Sequence, residues 1–271
     1  MARSNNRDIQ LLEKRFIELS RIAYQREIVT YSDFLNLNEQ NILHSLPKDS
    51  LYTRIISFGG YETAERQMAA FIPDALYLRC RIDDSDFAGP GLYHEIGYPF
   101  TALRIEPQNR KFAEDLSHRD YLGAILNLGI DRARTGDIIQ LQGGAVIFVH
   151  NDIAAFVADE LTRVRHTVVK VSPMVDNAFY YTPDYDEIRG TVASVRLDSL
   201  LPLAFSSSRT RLSGLIEGEK VFVNGKLITS NGYQVKDGDI ISVRGMGKFR
   251  FEGTGGQTRK KRITVTIRKY R

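Results

Sequence analysis

A chain of 271 residues, 42% of them apolar, can fill the cores of two or three domains. Its one cysteine, Cys80, excludes an internal disulfide, and no apolar run approaches the ~20 residues that a membrane helix needs. The net charge of +4 hides an asymmetry: residues 189–271 carry 17 Lys/Arg and 6 Asp/Glu (net +11), leaving 20 and 27 (net −7) to residues 1–188. A basic third on an acidic body is the footprint of a polyanion partner. A membrane surface would also attract that charge, but no strongly basic amphipathic helix is visible, so RNA is the expected partner. The N-terminus, MARSNNRDIQ, has no apolar signal region, and a cytoplasmic location is expected.

In chain order, Ile9, Leu12, Phe16, Leu19 and Ala23 recur at three- and four-residue spacing and predict a helix with one apolar stripe. Thr30, Ser32 and Asp33 offer start signals for a second helix near Phe34, closed at Pro47. Ile55 to Tyr61 reads as a strand running into a Gly59-Gly60 turn, followed by a helix over Glu62 to Phe71. No Lys-Ser/Thr follows those glycines and no G-x-G-x-x-G spacing surrounds them, so a tight turn is favoured over a phosphate loop.

From Ala75 the pattern alternates. LYLRCRI (Leu76 to Ile82) and FTALRIEP (Phe100 to Pro107) read as strands, and Tyr121, Leu122, Ile125 and Leu128 form a helix stripe that ends at Gly129. IIQLQ turns at Gly143-Gly144 into AVIFV as a hairpin, a helix runs from Asp152 to Val164, and TVVKVS closes the set. With FTALRIEP as the first strand the order is β-α-β-β-α-β, a ferredoxin-like unit of the kind RNA-recognition motifs use. The base-reading version carries aromatic rings on its two central strands. Here there are only Phe148 on the third strand and Leu103 and Ile105 on the first, so RNA contact by this domain is left open but not indicated.

The fold class expected is therefore α+β. A helical N-terminal domain (1–74) precedes an RRM-like domain (75–175), an aperiodic linker (176–188) and a basic C-terminal domain (189–271). The basic domain ends in an extra hairpin around Gly253-Thr254-Gly255-Gly256, with Ile263, Val265 and Ile267 on one face of its last strand.

No constellation for chemistry emerges. His94-Glu95 and His118 stand apart from other ligand types, Asp83-Asp84-Ser85-Asp86 lacks the glycine and closing glutamate of an EF-hand, and there is no G-x-S-x-G elbow. Cys80 reads as a packed thiol. Neither a metal nor a cofactor is expected.

The stretch from Arg196 to Arg244 carries the clearest signal. It runs through RLDSLL, a Ser-Ser-Ser break before Arg209 and Arg211, the strand VFVN with its Asn224-Gly225 turn, and the Lys236-Asp237-Gly238-Asp239 entry into IISVR. It resembles the S4-type RNA-binding domain. The serines ahead of Arg209 can cap a helix and leave its first N–H groups and a guanidinium facing one way, an arrangement suited to phosphate. The candidate RNA contacts are Ser207, Ser208, Arg209 and Arg211 at the helix start, Lys220, Asn224 and Lys226 flanking the same groove, and Lys248 and Arg250 extending it. Arg196 and Asp198 read equally as an internal ion pair or as a contact.

Nearly the whole chain is similar to the YlmH family of bacterial proteins, through GGYETAERQMAAF (Gly59 to Phe71), FTALRIEP, HRDYLGAILNLGI, VASVRLDSL and YQVKDGDIISVRGMGKF. The resemblance implies a non-enzymatic protein bound to rRNA and tRNA on the large ribosomal subunit and active in rescue of stalled translation, with a genomic link to cell division. Two alternatives stay open. One is an RNA-modifying enzyme of the pseudouridine synthase kind; the other is an adaptor whose acidic residues 1–188 recruit a cell-division protein.

Overall fold

The computed structural model describes residues 2–79, 96–174, 181 and 184–270. Cys80, Asp83-Asp84-Ser85-Asp86 and His94-Glu95 lie outside the described residues. Two units divide between Tyr180 and Tyr181.

The first unit opens with α1 (Ala2–Arg26), whose Phe16, Leu19 and Ala23 are buried, as the stripe predicts. The next 50 or so residues are not helical as a whole, contrary to expectation. Three strands, β1 (Thr30–Leu35), β2 (Arg54–Phe58) and β3 (Gln67–Ile72), form an antiparallel sheet in the order β1-β3-β2. Ser32 is no helix start: its hydroxyl accepts from the Ala69 N–H at 2.9 Å inside that sheet. Helix α2 (Leu37–Ser45) starts instead from Asn36, in a capping box with Glu39.

The helix expected over Glu62 to Phe71 is replaced by β3. Met68 to Ile72 are all buried, because α1 covers Ala69 and Phe71 on one face while Ala70 and Ile72 face a second cluster with Tyr77 and Ile96. A strand enclosed on both faces loses its alternation. The start of LYLRCRI likewise belongs to a helix, α3 (Asp74–Arg79), rather than to a strand.

The central sheet follows expectation. Strands β4 (Phe100–Pro107), β5 (Thr135–Leu141), β6 (Gly144–His150), β7 (Arg163–Val164) and β8 (Thr167–Pro173) lie in the antiparallel order β5-β6-β4-β8-β7. Helices α4 (His118–Leu126) and α5 (Asn151–Glu160) complete the ferredoxin-like unit. Their Tyr121, Ile125 and Val157 pack on Leu103, Ile105, Ile147 and Val149. Helix α5 ends earlier than expected, because Arg163 and Val164 pair with Val168 and Thr167.

The opposite face of that sheet is where a base-reading motif would stack RNA. Here the N-terminal sheet covers part of it. Phe148, only 2% exposed, stacks on Tyr61 at 5.9 Å and meets Phe100 edge-on at 6.0 Å. Phe34 and Phe58 approach Phe100 at 5.3 and 6.0 Å, extending the aromatic seam. Gly60, at φ +99°, lies so close that a Cβ there would fall 2.2 Å from the Phe148 ring, which explains the glycine turn.

A polar lock borders the seam. The Asp137 carboxylate accepts from the Tyr61 hydroxyl (2.7 Å) and from the Glu65 and Arg66 N–H groups (2.7 and 3.1 Å). Arg66 donates to the carbonyls of Phe34, Arg132 and Thr135 at 2.7 to 3.0 Å. Burial, with the neighbouring Arg66 charge second, pulls the Arg132 guanidinium down to about 10.

The second unit is a six-stranded antiparallel sheet with two helices, α6 (Leu197–Phe205) and α7 (Arg209–Glu217). Its strands are β9 (Tyr185–Val192), β10 (Val221–Val223), β11 (Lys226–Leu227), β12 (Ile240–Val243), β13 (Gly247–Gln257) and β14 (Ile263–Tyr270), in the order β11-β10-β12-β13-β14-β9. Residues 185–188, expected in the linker, instead pair along β14, and Ile188 packs on the core. The extra hairpin is present, but Gly253 to Gly256 lie within β13, at two register shifts, and the chain reverses at Thr258 to Arg262 instead.

Phe148→Ala should cost about 3–5 kcal/mol of stability, since it empties a site enclosed by rings from two sheets. Urea denaturation of the full chain checks this; an unshifted transition would mean that the seam does not hold the unit together.

Candidate nucleic-acid interface

The basic domain builds its helix pair around one carboxylate. Apolar residues of α6 (Leu197, Leu200, Leu201 and Ala204) are buried, and Ser206, at φ +48°, ends the helix in the left-handed region. Ser208 then caps α7, its side chain accepting from the Arg211 N–H at 3.4 Å. Asp198, with a side chain 8% exposed, sits in the first turn of α6. Arg196 reaches it through two hydrogen bonds of 3.1 and 3.0 Å, and Arg209 reaches the same carboxylate at 2.5 Å. Burial pushes the Asp198 carboxyl up, but the bonds from Arg196 and Arg209 outweigh it and hold the group below the ordinary 3.8.

That geometry decides the reading of the Arg-Leu-Asp opening: it is an internal ion pair, with Arg209 as a third member. Arg209 keeps 59% of its side chain exposed, and Arg211 beside it is exposed as well. One carboxylate against two guanidiniums leaves a surplus positive charge at the cap of α7. Ser207, half-buried, and Ser208 lie at the same place.

Asn224 has a different role from the one expected. It and Gly225 take φ +48° and +78°, both positive as a tight hairpin turn requires. Its amide donates to Asp239 at 2.8 Å while its carbonyl oxygen accepts from the Ile240 N–H at 2.9 Å. Asp239 in turn accepts from the Lys236 N–H at 2.8 Å. The Val-Asn-Gly and Lys-Asp-Gly-Asp motifs are therefore two halves of one latch, and both polar atoms of the Asn224 side chain serve the fold.

The remaining candidates do not form a single groove. Lys220 and Lys226 are exposed at opposite ends of β10, and Lys220 follows the far end of α7 from Arg209. Lys248 and Arg250 alternate with Phe249 and Phe251, which are fully buried against α6 and α7. With a period of two, Lys248 and Arg250 point away from the helices, on the outer face of the sheet. Sequence reasoning passed over three neighbours on that face: Arg268, Tyr270 and Tyr185. The alternation of ITVTIRK already separates Arg268 from the buried positions; Tyr185 was hidden because its strand read as linker.

In the central unit, Arg104, Glu106 and Arg110 form an ion-paired ledge (3.1 and 3.7 Å) beside Lys170, bordering a recess of about 650 Å³. Among the described residues no three His, Cys, Asp or Glu side chains are grouped as metal ligands. No helix of the described residues is long and apolar enough to cross a membrane.

A ferredoxin-like unit followed by a helix pair capped with arginines on a basic sheet defines the class, a chain built of RNA-binding modules. Comparison with known families agrees. Residues 97–177 match the family described as "Putative RNA-binding domain in YlmH", and residues 195–241 match the S4 domain. The chain thus carries both a YlmH-type RNA-binding domain and an S4 domain, and the resemblance carried by its motifs is borne out.

Among relatives, the ribosome-associated protein quality control protein P2 of Bacillus subtilis (strain 168) is 29% identical over 260 residues, 94% of this chain and 93% of that protein. The small ribosomal subunit protein uS4 of Coxiella burnetii (strain CbuK_Q154) is 39% identical over 61 residues, 21% of this chain and 30% of that protein. A solved structure, the cell division protein ylmH from Streptococcus pneumoniae, aligns with 63% of this chain and 91% of its own at 22% identity and a TM-score of 0.45.

Asp198→Asn should destabilise the C-terminal unit by roughly 1–2 kcal/mol at neutral pH, a modest figure because both arginines are part-exposed. The folded pKa is depressed, so this contribution is full above the unfolded value and is lost as pH falls through the folded one. Denaturation midpoints of the two proteins should therefore converge in strong acid; a gap independent of pH would rule out the charge as its cause.

Proposed function

We propose that this protein binds structured rRNA and tRNA on the large ribosomal subunit through its S4-type domain, and acts by binding, without chemistry or cofactor, in the rescue of stalled translation. The observation that carries this is the start of α7, where a serine-capped helix end and two exposed arginines bring backbone donors and positive charge to one place. Ser207, Ser208, Arg209 and Arg211 form the centre of the contact. Lys220 and Lys226 add charge away from it, and Asn224 acts through the turn it builds. The names of the Bacillus and Coxiella relatives, ribosome-associated and ribosomal, support the ribosome as partner and the cytoplasm as location. The pseudouridine synthase alternative needs a catalytic aspartate, and the aspartate of the chain's Arg-Leu-Asp is buried between two guanidiniums.

The test is sedimentation of the tagged protein through a sucrose gradient, with RNA crosslinking and with Arg209→Ala, Arg211→Ala and the double variant. Wild type should travel with large subunits and the double variant should stay at the top. In purified form each lost phosphate contact should reduce the salt slope of binding by about 0.7–0.9, whatever the RNA sequence. Arg211→Ala is the cleaner single change, since Arg209 also neutralises Asp198. Wild type free of ribosomal RNA in the gradient would refute the proposal.

A further inference from the structure

We propose that the outer face of the C-terminal sheet, on β9, β13 and β14, is a second RNA site, which takes a single strand by stacking bases on Tyr185 and Tyr270 and pairing its phosphates with Lys248, Arg250 and Arg268. The proposal rests on the RNA-binding reading of this domain but uses residues remote from the cap of α7.

Strand register places these side chains together. Tyr270 lies opposite Tyr185, Arg268 opposite Arg250, and Lys248 opposite Ser242. Their neighbours Phe249, Phe251, Val265 and Ile267 are fully buried under α6 and α7, so this set faces outward. Both helices of the unit pack on the inner face. The outer set extends beyond residues 195–241, the span that matches the S4 domain.

Its chemistry fits a nucleic acid strand better than a protein. The Arg268 guanidinium lies 4.8 Å over the Tyr185 ring and the Lys248 ammonium 6.0 Å from the Tyr270 ring, so cations and rings interleave. Tyr185 is 39% exposed. A ring backed by a guanidinium is a ready stacking partner for any base, which is how sheets that bind single strands work. Arg250 and Arg268 face each other across two strands, an opposition that costs stability. Glu252 lies 3.5 Å from each. A phosphate between the two guanidiniums would relieve that opposition.

The experiment uses the full chain with a fluorescein-labelled decauridine and, separately, a base-paired RNA hairpin. Tyr185→Ala with Tyr270→Ala should weaken decauridine binding about tenfold per ring, while Tyr→Phe at both positions should preserve it, because stacking needs only the ring. Arg209→Ala with Arg211→Ala should weaken the hairpin and spare decauridine. Ultraviolet crosslinking of wild type to decauridine, with the modified peptides mapped by mass spectrometry, avoids any effect of substitution on folding and should mark Tyr185 or Tyr270.

Crosslinks elsewhere, or decauridine affinity unchanged in the double alanine variant, would overturn the proposal. So would binding of polyglutamate but not decauridine, the behaviour of a site for an acidic protein. Hairpin binding without decauridine binding refutes this inference and leaves the proposed function standing; the reverse result refutes the latter alone.

Discussion

The buried carboxylate of Asp198 is the constraint on which the basic domain is organised. A carboxylate removed from water needs cations or donors around it, and the chain supplies Arg196 from just before α6 and Arg209 from the first position of α7. Because the two arginines come from either side of α6, satisfying one group fixes the relation of the two helices. The same requirement leaves more positive charge than negative at the cap of α7. A need of the fold and the charge offered to a phosphate thus arise from one local arrangement.

The central unit shows how packing on a shared topology can close one of its surfaces. Its strand order is that of base-reading motifs, yet the ring that could stack a base, Phe148, is enclosed by Tyr61 and Phe100. Aromatic residues from the N-terminal sheet take the place that bases would occupy. The Asp137 and Arg66 lock beside them satisfies the polar groups that such a seam would otherwise strand. Near that sheet, among the described residues, Arg104, Glu106 and Arg110 form an exposed charged ledge, where an acid sits among the bases.

Legibility of the sequence followed exposure. Where one face of a strand meets water, as in ITVTIRK, alternation shows both the strand and its buried side. The hairpin through Gly143-Gly144 was readable for a related reason, since its glycines mark the turn. Where both faces are covered the pattern vanishes: QMAAFI reads equally as helix, and only the partners on each side, α1 and the cluster of Tyr77 and Ile96, decide for a strand. Tyr185 to Ile188 were misread for a different cause. Their pairing partner, β14, lies some eighty residues later, and no local rule reaches that far. The candidate site divides in the same way. The cap, the arginines and the turn are local and were visible, but the double use of Asn224 and the turning of Lys248 and Arg250 to the far face depend on tertiary contacts.

The charge count gains meaning from that division. A net of +11 over residues 189–271 suggests one basic surface, but a sheet with helices on one side has two faces, and period-two alternation distributes the cations between them. Arg209 and Arg211 belong to the helix side; Lys248, Arg250 and Arg268 belong to the other. Cations on opposite faces cannot grip the same stretch of a duplex, so the excess is too widely spread for a single short contact. Two RNA elements, or one that wraps the sheet edge, match the distribution better. Tyr185 and Tyr270 lie with the second group, interleaved with its cations, so the two faces differ in chemistry as well as in position.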